Sequence, residues 1–224
     1  MIERHTAPLG FIDRSVAVPS HICLFYYDDT ELRESLTFVT LGLDDPAEAT
    51  VLFGSQRRLE QVLGYLATDH GRDVEADVRD GRITLVEGAP TGADTLANIG
   101  KAMDHVTQRG ATLVRFLGFI GWGESGWPGH DELLRFEATV NDAVASYPAI
   151  AICTYNANRL PGPLLIFGGI ETHPITILGH TVAENPHYVP PKEFLARPGA
   201  PWSDERREAL SGVRLTGRTG DDKA

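Results

Sequence analysis

Two hydrophobic rhythms alternate along this chain. Short apolar or β-branched runs predict strands at His21–Tyr27, Thr50–Gly54, Ile83–Glu87, Ala111–Leu117, Ala149–Tyr155 and Ile175–Gly179. Between them, apolar positions recur at helical spacing and predict helices over Asp29–Gly42, Ser55–His70, Thr91–Gly110, His130–Tyr147 and Pro163–Glu171. Some strands, notably Ala149-Ile150-Ala151-Ile152, are unbroken apolar runs, as burial on both faces requires. Strands separated in this way by helices predict a mainly parallel sheet covered on both sides, an α/β three-layer sandwich.

Local chemistry supports the boundaries. Asp29 or Thr30 suits the cap of the first helix, with Glu31 and Glu34 in its first turn, and Ser55 suits the cap of the second. Asp80-Gly81 and Pro161-Gly162-Pro163 punctuate turns. Residues 1–18 read as an N-terminal extension and 19–195 as one domain. Residues 196–224 read as a flexible tail with a candidate short helix over Ser203–Leu210 and a mobile end from Thr219.

At 224 residues the chain can bury one sizeable core. No apolar stretch approaches the roughly 20 residues that span a bilayer, and the N-terminus lacks a basic region followed by an apolar one. A cytoplasmic protein is expected. Two cysteines make no disulfide framework. The net charge is −11; the tail carries six basic and five acidic residues and residues 1–18 are balanced, so the domain is more acidic than the whole. That sign repels phosphate backbones and anionic membranes, so neither direct nucleic-acid binding nor membrane association is expected.

The candidate chemistry sits in a few strands and one loop. Alternate residues of a strand share a face, so His21 and Cys23 project together, as do Cys153 and Tyr155. Proline after His173 holds that histidine extended at a helix exit. His21, Cys23, Cys153 and His173 are donors that zinc or copper accepts, but they lack the close paired spacing of a zinc motif, and the reading adopted includes no metal and no cofactor. Cys153 with His21 or His173 as base would make a nucleophile; a buried inert thiol is the other reading. Gly123-Glu124-Ser125-Gly126 has Trp127 where a nucleophile elbow needs glycine, which excludes that motif.

The turn Gly54-Ser55-Gln56-Arg57-Arg58-Leu59-Glu60 has no second glycine and no Lys-Ser/Thr pair, so it cannot wrap a triphosphate. ATPase activity is not expected. Gly118 to Gly129 holds two tryptophans, one phenylalanine and five glycines after a strand end, a composition suited to closing over a small apolar ligand. Arg115 in an apolar strand needs a partner, and Glu137 is the expected one, both in structural roles.

Taken in order, His21-x-Cys23-x-x-Tyr26, Phe38 to Gly42-Leu43, Arg115 to Trp122, Phe136-Glu137, Cys153-x-Tyr155, His173-Pro174 and Glu184-Asn185-Pro186-His187-Tyr188-Val189-Pro190-Pro191 resemble the MEDS family. This is the sensory domain named after methanogens, methylotrophs and the dichloromethane-responsive repressor. The resemblance covers about four fifths of the chain and departs from the family at Gly118-Phe119, where an acidic residue often stands. It implies a RecA-like (P-loop NTPase-like) fold without a functional Walker A motif, and small hydrocarbon derivatives as ligands. Relatives join the domain to a DNA-binding or histidine-kinase module.

The expectation is therefore a non-enzymatic cytoplasmic sensor of a small organic molecule, with no catalytic residues. It would signal through a regulatory protein partner, of the transcriptional or two-component kind, or through a homo-oligomer. Its ligand-binding residues would come from His21, Cys23, Tyr26, Trp122, Cys153, Tyr155 and His173. Two other readings stay open: a thiol- or metal-dependent enzyme using Cys23 and Cys153, and a non-catalytic oligomeric scaffold.

Overall fold

Seven strands form the central sheet of the computed structural model, which describes residues 5–197. A hairpin, β1 (His5–Pro8) and β2 (Ser15–Val18), precedes it. The sheet contains β3 (Ser20–Tyr26), β4 (Glu48–Gly54), β5 (Ile83–Glu87), β6 (Leu113–Phe119), β7 (Ala149–Asn156), β8 (Ile175–Leu178) and β9 (Thr181–Glu184). Their order is β5-β4-β6-β7-β3-β8-β9, parallel throughout except for the antiparallel edge pair β8 and β9.

Side-chain alternation divides the core in two. Ile22, Leu24 and Tyr26 of β3, Leu52 of β4, Leu113 and Leu117 of β6, and Ile150 and Ile152 of β7 face one way. There they meet α1 (Asp29–Ser35), α2 (Thr37–Asp44), α3 (Gln56–His70), α4 (Val74–Arg79) and the hairpin. Val51, Phe53, Val114, Phe116 and Ala151 face the opposite way, against α5 (Gly92–Gln108) and α6 (His130–Val144). Each fully buried leucine or isoleucine contributes about 1.5–3 kcal/mol. The three-layer sandwich read from the sequence is what forms.

The remaining elements complete the second face: α7 (Gly162–Leu164), a π-helical turn over Leu165–Ile170, and α8 (Pro191–Ala196). Phe194 and Val189 pack with Leu134 and Ala138 of α6. No helix among the described residues is long and apolar enough to cross a membrane.

The structure differs from the sequence reading in four places. The helix expected over Asp29–Gly42 is two, broken at Leu36, where the Ser35 hydroxyl donates to the Leu32 carbonyl at 2.6 Å. Asp28 caps α1, accepting from the amides of Thr30 and Glu31. Residues 5–18, read as part of an extension, form a hairpin that buries Ala7, Leu9, Val16 and Val18 in the first core. The segments of α4, β9 and α8 went unassigned. The candidate helix at Ser203–Leu210 lies outside the described residues.

The fourth difference concerns Arg115, whose expected partner was Glu137. Arg115 stands between Leu113 and Leu117 on β6 and so faces the hairpin, whereas Glu137 lies on α6 across the sheet. Its Nε donates to Glu48 Oε2 at 2.5 Å and its Nη1 to the Pro8 carbonyl at 2.8 Å. The guanidinium also lies over the Phe38 ring, 5.1 Å from its centre. Arg115 is wired to strand β4 and to the hairpin.

Candidate functional site

Period-two alternation puts His21, Cys23 and Phe25 on the α6 face of β3, while parallel pairing in register sets Cys23 beside Cys153 on β7. From α6, Glu137 and Asn141 reach the same place, one helical turn apart. His173 arrives just after the π-helical turn. Four elements thus deliver His21, Glu137, Cys153 and His173 to one point, where one donor atom of each lies within 4.8 Å of all the others. All four side chains are buried.

The hydrogen bonds fix how these groups present themselves. Asn141 Nδ2 donates to the Thr172 carbonyl at 2.6 Å and to the Ala138 carbonyl at 3.3 Å. Its Oδ1 therefore faces His21 and accepts from Nδ1–H at 3.1 Å. His173 Nδ1–H donates to the Gly169 and Gly168 carbonyls at 2.9 and 3.1 Å. Those carbonyls belong to the last turn of a helical segment that ends at Ile170, where helix carbonyls lack intrahelical amides. With both Nδ1 atoms acting as donors, both Nε2 atoms carry lone pairs, and each lies 3.7 Å from Glu137 Oε2. His21 Nε2 also lies 3.4 Å from Cys153 Sγ. Tyr155 donates its hydroxyl to Glu137 Oε1 at 2.7 Å.

Burial dominates the electrostatics. It lowers His21 to about 4, with the Asn141 bond opposing, and holds His173 well below the usual histidine range, His21 adding to the effect. Glu137 is pushed up to about 7 by burial, against the hydrogen bonds of Tyr155 and Cys153. The thiols of Cys23 and Cys153 and the phenol of Tyr155 are all raised, by burial first and the Glu137 charge second. Neither cysteine is the exposed, acidified thiol that nucleophilic chemistry uses.

Close approach explains two glycines here. A Cβ on Gly169 would stand 2.7 Å from the Phe25 ring, and one on Gly168 would crowd Trp122 and the Tyr155 hydroxyl at 3.2 Å. Above the cluster, Trp122 packs on the patch of Cys23, Cys153 and Tyr155, with its ring 6.0 Å from that of Tyr155. Trp122 also lines a cavity of about 240 Å³ with Tyr26, Arg58, Phe119 and Arg159. A polar cleft of about 700 Å³ adjoins, sharing Arg58, Glu124, Asn156 and Arg159 and adding Ser55, Arg57 and Gln61. It lies at the carboxyl ends of the parallel strands, the usual ligand position in such sheets.

Of the seven residues expected at a ligand site, His21, Cys23, Cys153, Tyr155 and His173 meet beneath Trp122. Tyr26 points to the other face of β3 and borders the cleft at its end. Two residues outside that set, Glu137 and Asn141, reach the cluster from α6. The available signal was a carboxylate and an amide within the apolar stripe of Leu133, Leu134, Ala138 and Val144, where a solvated face would not fall. Of the strand-to-helix turns at this edge, the two that border the cleft are not phosphate loops: Ser55 leads directly into α3, and after β3 the Asp28 carboxylate already occupies the first amides of α1.

Residues 20–174 match the sequence model of the family described as MEDS, the methanogen/methylotroph, DcmR sensory domain. No curated protein matches the chain.

Proposed function

The chain belongs to the MEDS sensory-domain family, and from that premise we propose that it binds a small organic molecule in the carboxyl-edge cleft and reports its presence to a regulatory partner. The observation that carries this reading is the cleft itself. It is large enough for a small ligand, stands where α/β sheets bind one, and the two strand-to-helix turns that border it lack the glycine-rich loop and lysine that wrap a triphosphate.

The lining suits an amphipathic guest. In the smaller cavity Phe119, Ile120, Trp122 and Leu160 offer apolar surface, and Arg58, Asn156, Arg159 and the Glu124 carboxylate offer hydrogen bonds and charge. Arg58 is poised by its own bond to Gln61 Oε1 at 2.8 Å and lies over the Phe119 ring. A ligand with a short hydrocarbon body and an oxygen-bearing end fits this division. Trp122 touches both the cleft and the buried cluster, so occupancy above would be felt by the strands below.

Calorimetry against short alcohols, ketones, haloalkanes and carboxylates tests the reading. Saturable binding that weakens at least about tenfold in Arg58→Ala and in Trp122→Leu is expected. A folded protein that binds none of them, or that instead turns over magnesium ATP, would overturn it.

A further inference from the structure

Beneath the cleft, His21 Nε2, His173 Nε2 and Glu137 Oε2 converge with the Cys153 thiol. His21 Nε2 and His173 Nε2 are both acceptors, because each imidazole spends its N–H on the opposite side of its ring, and Glu137 Oε2 faces both at 3.7 Å. Glu137 Oε2 and His173 Nε2 are buried and have no hydrogen-bond partner among the described residues. Burying such atoms without a partner is unfavourable, more so for a charged one. Acceptors gathered in this way call for a positive centre.

We propose that His21 Nε2, Glu137 Oε2, Cys153 Sγ and His173 Nε2 bind one divalent transition-metal ion of the zinc class.

Geometry, charge and surroundings each support the site. Tetrahedral zinc with nitrogen or oxygen at about 2.0–2.1 Å and sulfur at about 2.3 Å sets its donors roughly 3.3–3.6 Å apart. The separations from His21 Nε2 to Cys153 Sγ and from each Nε2 to Glu137 Oε2 are 3.4, 3.7 and 3.7 Å. Contraction by a few tenths of an ångström closes those three edges. One thiolate and one carboxylate cancel a charge of two, so the ion enters the core as a neutral unit. On binding, the metal–sulfur bond replaces the sulfur–hydrogen bond of Cys153, and that proton leaves to solvent, along with any proton held by Glu137. No electron is transferred.

The outer shell is already built. Asn141 Oδ1 orients His21, the Gly168 and Gly169 carbonyls orient His173, and the Tyr155 hydroxyl holds the other oxygen of Glu137. Four protein donors leave no open position, so the ion would tie β3, β7, α6 and the His173 segment together rather than catalyse. Two imidazoles, a thiolate and a carboxylate favour zinc, cobalt or copper over magnesium or calcium, which prefer oxygen.

The test uses the full chain, stripped with chelator in denaturant and refolded with either cobalt(II) or zinc(II), so that access to the buried site is not limiting. One cobalt per chain is expected, with a thiolate-to-cobalt charge-transfer band and the strong visible bands of a four-coordinate ion. One equivalent of zinc should abolish both. Cys153→Ser and His173→Asn should lose the charge-transfer band and the four-coordinate spectrum respectively, whereas Cys23→Ala should keep both. If a variant fails to fold, the spectrum of the unaltered chain decides alone. A spectrum without the thiolate band, six-coordinate cobalt, or uptake below one ion per chain would overturn the proposal.

Discussion

The rings of His21 and His173 lie 4.0 Å apart, centre to centre, and tilted by 39°. Each turns its Nε2 toward the same oxygen of Glu137. Two unprotonated imidazoles in that relation repel no charge, but a proton added to either would sit beside the other in a buried site. The arrangement is therefore sensitive to what occupies the space between them.

If an ion occupies that space, the bonds behind the ligands set its affinity. Asn141→Ala removes the acceptor that fixes the His21 tautomer and also frees the Thr172 carbonyl. Zinc affinity is expected to fall by about 10–100-fold, measured by competition with a chromogenic chelator. Removing the metal from the unaltered chain should lower its melting temperature, with the difference growing as free zinc is raised in the comparison sample.

In metal-free protein, acid should destabilise. His21 titrates near 4 folded and about 6.5 unfolded, so the stability it contributes is present above 6.5 and is lost as pH falls through 4. Glu137 acts oppositely: folded near 7 and about 4.5 unfolded, it contributes stability below 4.5 that is lost as pH rises through 7. Between about 4.5 and 6.5 these two offset, and His173, displaced in the same direction as His21, makes the net slope positive with pH. Glu137→Gln removes the offset, so the urea midpoint should fall more steeply toward acid in that variant. An equal or shallower slope would contradict the assignment.

Arg115 is 1 % exposed, and its charge is balanced by Glu48. Glu48→Ala should cost about 3 kcal/mol by urea unfolding, because it strands a buried guanidinium. Replacing both residues, Arg115→Met with Glu48→Leu, should cost less than Glu48→Ala alone.

Trp127 rests against two glycines. A Cβ on Gly121 would stand 2.4 Å from its ring and one on Gly88 would stand 2.3 Å away. Gly121→Ala must therefore push the indole off Phe53, the ring it meets at 5.4 Å. A red shift of tryptophan emission and a loss of about 1–3 kcal/mol are expected.

The layers of this fold were legible because burial writes itself into strands such as Ala149–Ile152 and into helices with one apolar stripe. The hairpin was not legible, since Ala7, Leu9 and Val16 are too few and too spread among polar residues to signal a core without their partners. The site was half legible. Strand alternation put His21 with Cys23 and Cys153 with Tyr155, and the parallel register joined the pairs. Glu137 was misassigned because sequence gives no sign of which side of a sheet a helix covers, and Arg115 offered a plausible opposite charge on the wrong side.

Arg115 Nη1 donates to the Pro8 carbonyl and so ties the hairpin to the central sheet. A recombinant fragment trimmed to the family's matched span, 20–174, would lose the carbonyl that satisfies this guanidinium and the apolar cover of Leu9 and Val16. It would also lose Val189 and Phe194 from the flank of α6, the helix that supplies Glu137. The smallest piece that folds as the whole does is therefore expected to be longer at both ends than the segment by which its kinship is detected.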